Sequence, residues 1–163
     1  MATTATTTHR PKTRAIYVES GAGEQFSVLG STTTVKATTS DTGGNEWVLV
    51  ESQPGGDVPA HRHPWGEPYY ILDGSLEVQV GARRYIASAG DFLTIPPRAV
   101  HSFEVLSDTV RFLHVSVGDG ATAMFRDIAA TTAGRDLADP ETQAAIGEVL
   151  ARHGVEMLAP ETV

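Results

Sequence analysis

Gly55 to Gly74 constrains this chain more than any other stretch: Gly-Gly-Asp-Val-Pro-Ala-His-Arg-His-Pro-Trp-Gly-Glu-Pro-Tyr-Tyr-Ile-Leu-Asp-Gly. Residues two apart in a β-strand point the same way, so His61 and His63 can present both imidazoles to one side of a sheet. Pro64, Trp65 and Gly66 read as a tight loop between antiparallel strands, which would set Glu67 across from His63. His101 follows in Ile95-Pro96-Pro97-Arg98-Ala99-Val100-His101, at the start of another alternating run. Three imidazoles and one carboxylate suit one divalent first-row transition metal. With no cysteine in the chain, any metal ligands are nitrogen and oxygen.

The chain on either side reads as short strands. Sixteen glycines and nine prolines, many lying between short apolar runs, fit an all-β domain rich in turns. Ala15 to Val18, Phe26 to Leu29, Ser31 to Thr39 and Glu46 to Ser52 are strand candidates, with a turn expected at Asp41-Thr42-Gly43-Gly44. Asp73-Gly74 is a hairpin signal, and Leu76, Val78 and Val80 alternate with polar residues after it. Phe103 and Val105 share the face of His101, and Phe112, His114 and Ser116 share a face of the last long strand. The runs add up to roughly nine to eleven short strands, the pattern of a jelly roll that can hold a ligand.

Beyond Gly118 the period changes. Met124, Phe125 and Ile128 suggest a short helix, and Asp139-Pro140 opens a second one as N-cap and first turn. Ile146, Val149 and Leu150 form its apolar stripe, with Gly154 at its end and His153 complementing the helix dipole. The expected organisation is a disordered tail over 1–14 that carries His9, a β-barrel over 15–120, and a helical extension over 121–163 packed on the barrel or on a partner subunit.

The spacings resemble those of the cupin superfamily. Its first motif is a glycine, five residues, His-x-His, three or four residues, Glu, six residues and a glycine. Gly55, His61, His63, Glu67 and Gly74 meet it in full. In the second motif Gly90, Pro96 and His101 match, while Arg98 replaces a glycine and Val105 an asparagine. The arginine puts a non-glycine residue where a left-handed backbone costs roughly 1–2 kcal/mol. The resemblance spans residues 45 to 117. It implies an all-β cupin jelly-roll barrel (double-stranded β-helix) with a short C-terminal helical tail.

His61, His63, Glu67 and His101 are the metal ligands this resemblance implies, for one ion per subunit of nickel, cobalt, iron, manganese, copper or zinc. Tyr69, Phe103 and Val105 are expected as pocket walls, Trp65 at the pocket mouth or packed beneath its loop, and His114 as a pocket residue or a hydrogen-bonded core histidine. The His-Arg-His-Pro-Trp-Gly-Glu stretch, a later Phe-Arg-Asp and the ending Gly-Val-Glu-Met-Leu look like the quercetinase-like cupins of bacteria. That likeness implies a dioxygenase that cleaves an aromatic or enolic small molecule, with Glu67 as the catalytic base and dioxygen as co-substrate. A non-redox cyclase or isomerase, and a small-molecule-binding cupin without activity, are the other readings. Homodimers are common in the family, with the N-terminal strands as interface candidates. A formal net charge of −8 argues against nucleic acid, and the lack of a long apolar run or secretory leader makes a cytoplasmic protein without a membrane span the expectation.

Overall fold

A computed structural model describes residues 15–118 and 120–158. Its strands are β1 (Glu24–Val28), β2 (Ser31–Ala37), β3 (Asn45–Ser52), β4 (Val58–Arg62), β5 (Glu67–Asp73), β6 (Ser75–Val80), β7 (Arg83–Ser88), β8 (Phe92–Ile95), β9 (His101–Val105), β10 (Val110–Val117) and β11 (Glu156–Met157). Three helices join them: α1 (Thr39–Thr42), α2 (Ala121–Thr132) and α3 (Pro140–Arg152). One antiparallel sheet runs β1-β2-β3-β10-β5-β8 and the other β11-β4-β9-β6-β7. The two sheets enclose a jelly-roll core. No helix among the described residues is long and apolar enough to cross a membrane.

Strand alternation decides what enters that core. On β3, Glu46, Val48, Val50 and Ser52 are buried while Trp47 and Glu51 are exposed. Val110, Phe112, His114 and Ser116 point inward from β10, and Glu67, Tyr69 and Ile71 from β5. The inward series of β5 and β10 each carry polar residues at one end, while that of β3 carries Glu46 and Ser52 at its two ends.

Three local expectations are corrected. β4 and β5 are not a hairpin, because β4 pairs with β9 and β11 while β5 pairs with β10 and β8. Pro64-Trp65-Gly66 therefore carries the chain from one sheet to the other. Asp73-Gly74 likewise crosses between sheets, from β5 to β6. Gly74 has φ +74°, and a Cβ there would collide with the Thr109 carbonyl oxygen, so both backbone and packing call for glycine. Second, the turn at Asp41 begins as a helical turn: the Thr38 amide donates to Asp41 Oδ2 at 3.1 Å, and Gly43 closes it at φ 84°. Third, Ala15 to Val18 has no regular structure. His9 lies outside the described residues.

The helical extension packs over one end of the barrel. Asp139 caps α3, its Oδ2 accepting the Thr142 amide at 3.0 Å, with Pro140 at the first turn. Ile146, Val149 and Leu150 bury their stripe with Met124, Ile128 and Trp65 in a second apolar cluster. After α3 the chain returns as β11, pairing Glu156 with Arg62 and Met157 with His61. His153 ends the helix and sets Nε2 2.8 Å from Asp127 Oδ2, away from the barrel histidines.

Arg98 adopts φ 62°, the left-handed geometry that the missing glycine would supply. Its amide donates to the His63 carbonyl at 2.8 Å, and its exposed side chain makes no hydrogen bond or ion pair among the described residues. Arg98→Gly is expected to leave stability unchanged or raise it by about 1 kcal/mol, roughly 2–4 °C in the thermal midpoint. A clear fall in that midpoint by calorimetry would refute the strain account.

Candidate metal centre

His61 and His101 are direct partners across β4 and β9, and the register between those strands shifts just before His61. Side chains of an antiparallel pair share a face, which brings the two rings to 4.1 Å between centroids. His63 lies one step past the end of β4, two residues beyond His61, and its ring is 5.5 Å from that of His61 and 4.8 Å from that of His101. All three are buried, and one ligand nitrogen from each lies within 4.8 Å of the others. The three histidines can therefore hold one metal ion.

The ring orientations fit that task. His61 Nδ1 bonds to the Pro59 carbonyl at 2.8 Å, His101 Nδ1 to the Ala99 carbonyl at 3.0 Å, and His63 Nδ1 to the Trp65 carbonyl at 3.0 Å. A carbonyl only accepts, so Nδ1 carries the proton in each ring and Nε2 of the neutral ring keeps its lone pair. Backbone acceptors fixing a ring in this way are the usual support of a metal-binding histidine. Burial, then the neighbouring His101, lowers the pKa of His61 to about 4, so its ring is neutral at pH 7.

Glu67 enters from the opposite sheet. Its Oε2 lies 3.1 Å from both His63 Nε2 and His101 Nε2, and its Oε1 lies 3.0 Å from His114 Nε2. The His101 contact is too poorly aligned for an N–H···O bond, so this buried Nε2 has no hydrogen-bond partner. A carboxylate oxygen facing two imidazole lone pairs is repelled unless a proton or metal ion lies between them. The donor set thus fits a divalent cation on its own chemistry. Burial alone would raise the Glu67 pKa, but His114 and the contacts from His101 and His63 outweigh it and hold it well below the carboxylate range. Tyr69 is pushed the other way, well above 10, by burial and then by the Glu67 charge, and stays a protonated phenol. Glu67 also counters the burial that would lower the His101 pKa, and raises it.

A cavity of about 420 Å³ opens beside this cluster. His61, His63, Glu67, Tyr69, Phe103, His114 and Trp65 all line it. Val105 does not: it packs into the barrel core with Leu76 and Val78. Alternation placed Phe112 on the face of His114 without identifying it as a cavity wall, and the walls supplied by α2 and α3 have no local signal in the sequence.

Trp65 joins the second apolar cluster to the histidine site. Its indole stacks on the His63 ring at 4.3 Å and 10°, and Gly120 lies against it. A Cβ at Gly120 would come within 2.6 and 2.8 Å of indole carbons. The ring is thereby held between the start of α2 and a candidate ligand.

A cupin-domain profile matches residues 48–116. Quercetin 2,3-dioxygenase of Bacillus subtilis (strain 168) is 33% identical over 106 residues, covering 63% of this chain and 32% of the relative, so the chain spans about a third of that protein's length. An RmlC-like cupin from Shewanella frigidimarina superimposes with a TM-score of 0.59 at 14% identity, over 68% of this chain and 96% of that one. The polyketide cyclase RemF from Streptomyces resistomycificus gives 0.56 at 23% identity, over 64% and 80%. The last two likenesses carry the fold.

Gly120→Ala should push the indole toward His63 and cost roughly 1–3 kcal/mol, as overpacking does. Gly44→Ala, with nothing within 4 Å of the added carbon, should stay within about 0.5 kcal/mol of the wild type. Equal urea midpoints for the two variants would show that Trp65 yields freely and is not held as described.

Proposed function

The chain belongs to the cupin superfamily, and on that premise and the geometry of its histidine cluster we propose that it is a metal-dependent dioxygenase acting on an enolic or aromatic small molecule. The observation that carries this reading is the set of three buried rings, each tied through Nδ1 to a backbone carbonyl, with the Glu67 carboxyl against two of the Nε2 atoms. His61, His63 and His101 would hold the ion, with Glu67 as fourth ligand. A bound divalent transition metal supplies Lewis-acid stabilisation of an oxygen anion and, where it is redox-active, a route for electrons to dioxygen.

The chain's own groups do the rest. Glu67 keeps its charge at neutral pH, and Oε1, which is turned away from His63 and His101 towards His114, is the oxygen that would accept the proton of an enol or phenol. Tyr69, protonated, cannot compete as a base. The cavity takes a small molecule against its apolar walls. The quercetinase relative supports the dioxygenase reading. The same proton abstraction serves a cyclisation, so dioxygen consumption is what decides between them.

Elemental analysis of the purified protein, coupled to dioxygen uptake with a flavonol panel, tests the proposal. A redox-capable metal with uptake is expected; stoichiometric zinc without uptake points to a cyclase or a binding protein. His61→Ala and His101→Ala should lose stoichiometric metal, while His153→Ala, bonded to Asp127 instead, should keep it. A wild type that stays metal-free after reconstitution at neutral pH refutes the metal centre. Glu67→Gln should retain part of its metal and lose roughly 10²-fold or more of its turnover, the scale of general-base removal. Near-normal turnover per bound metal would eliminate the base role.

A further inference from the structure

We propose that the outer face of the β1-β2-β3-β10-β5-β8 sheet is the surface on which two copies of this chain pair, through the part formed by β3, β10, β5 and β8. An antiparallel sheet with one face on the core ordinarily turns polar side chains to water on the other. The second sheet does so: Glu77, Gln79, Ser102 and Glu104 point outward from β6 and β9, and Arg84 of β7 pairs with Glu77 at 3.1 Å. The first sheet does the opposite. Leu49, Leu113, Tyr70 and Phe92 are successive neighbours in one row across β3, β10, β5 and β8, and Trp47 pairs with Val115 in the row beside it. Tyr70 is 45% exposed, Phe92 65% and Trp47 38%. The outward residues of β1 and β2 include Gln25, Ser27, Thr32 and Lys36, so the N-terminal strands flank this surface and do not supply it. Strand alternation puts the face on the opposite side of the sheet from the cavity, so pairing is independent of the metal and of the reaction.

Area, shape and charge favour a second copy as the occupant. Four strands about 4.8 Å apart, at about 3.3 Å per residue, make an apolar area on the order of 500 Å², near the top of the range for the largest patch on a monomer. With β1 and β2 beside it, the face approaches the roughly 800 Å² per partner of a standard interface. Two sheets of the same twist stack with their strands about 30° apart, so a twofold axis can set two such faces together without reshaping either. The formal net charge of −8 keeps copies apart elsewhere, yet the two apolar rows hold no acidic side chain. At their rim Glu51 and Arg111 oppose each other across β3 and β10, 3.9 Å apart. A rim with one charge of each sign is self-complementary in an isologous contact, where Arg111 of one copy can meet the partner's Glu51. Residues 1–14 contain no aromatic, leucine, isoleucine or valine side chain, and so bring little that would bury these rows.

Sedimentation equilibrium of the purified full chain over a range of concentrations reads the pairing directly. The wild type is expected at twice the chain mass at micromolar concentration. Tyr70→Lys and Phe92→Lys each bring a cation from both copies into the apolar contact and should raise the dimer Kd at least roughly 10²-fold. Both side chains are exposed in the single copy, so each variant should keep the circular dichroism of the wild type. If Tyr70→Lys fails to fold, Phe92→Lys decides. Ile86→Lys, 68% exposed on β7 of the other sheet, should leave the Kd unchanged. A wild-type monomer overturns the proposal, whether residues 1–14 or a different protein covers the face. A dimer that withstands the face variants, or that Ile86→Lys weakens as much, shows that the copies meet elsewhere and overturns it too.

Discussion

The structure is organised around one carboxylate that has to be buried. An isolated ion in an apolar interior costs several kcal/mol even after relaxation, and only facing charges or donors offset it. Glu67 meets that requirement by drawing on both sheets. His61, His63 and His101 come from or beside β4 and β9, while Glu67, Tyr69 and His114 come from β5 and β10. The polar cluster is therefore also a seam between the two sheets. A cation held by the histidines and Glu67 together would bind across that seam, and its binding energy would then add to the stability of the fold.

Much of this was legible in the sequence, though not always for the right reason. The alternation of His61 with His63 and of Phe112 with His114 predicts shared faces, because the two-residue period is local. Glu67 was expected across a hairpin from His63; instead it faces that ring from the opposite sheet, with Oε2 3.1 Å from His63 Nε2. Pro-Trp-Gly and Asp-Gly signal a change of direction, and nothing in such a turn says whether the next strand joins the same sheet or the facing one. The pairing of His61 with His101 was beyond reach, since register between strands so distant in sequence depends on the whole barrel. Val105 shows the same limit: it lies on the inward strand face of His101, yet packs beside the cavity, in the core.

The helices illustrate a different limit. The stripe of Ile146, Val149 and Leu150 announces a buried face without saying what buries it. Its partners include Trp65, so the tail packs against the loop that carries His63 as well as making a wall of the cavity. β11 then adds to the edge of β4, where Met157 is paired with His61, and Arg62 Nε donates to Glu156 Oε2 at 2.9 Å. That exposed ion pair contributes little, within about 1 kcal/mol. Burial of each large apolar side chain contributes roughly 1.5–3 kcal/mol and is what fixes the tail in place. The same residues that stabilise the tail thus shape the space a ligand enters.

The two oxygens of Glu67 have unlike surroundings, and this makes one carboxylate sufficient for two tasks. Oε2 faces His63 and His101, whose lone pairs favour a cation there; Oε1 faces His114, on the neighbouring strand. A ligand role uses the first environment, and proton acceptance needs an oxygen outside it. His114 Nε2 lies 3.0 Å from Oε1 without the alignment of a hydrogen bond, and the residue lines the cavity. Tyr69, held protonated by burial and then by the Glu67 charge, does not compete with Glu67 as a base. Under the proposed function Glu67 therefore stands where metal chemistry and proton chemistry meet.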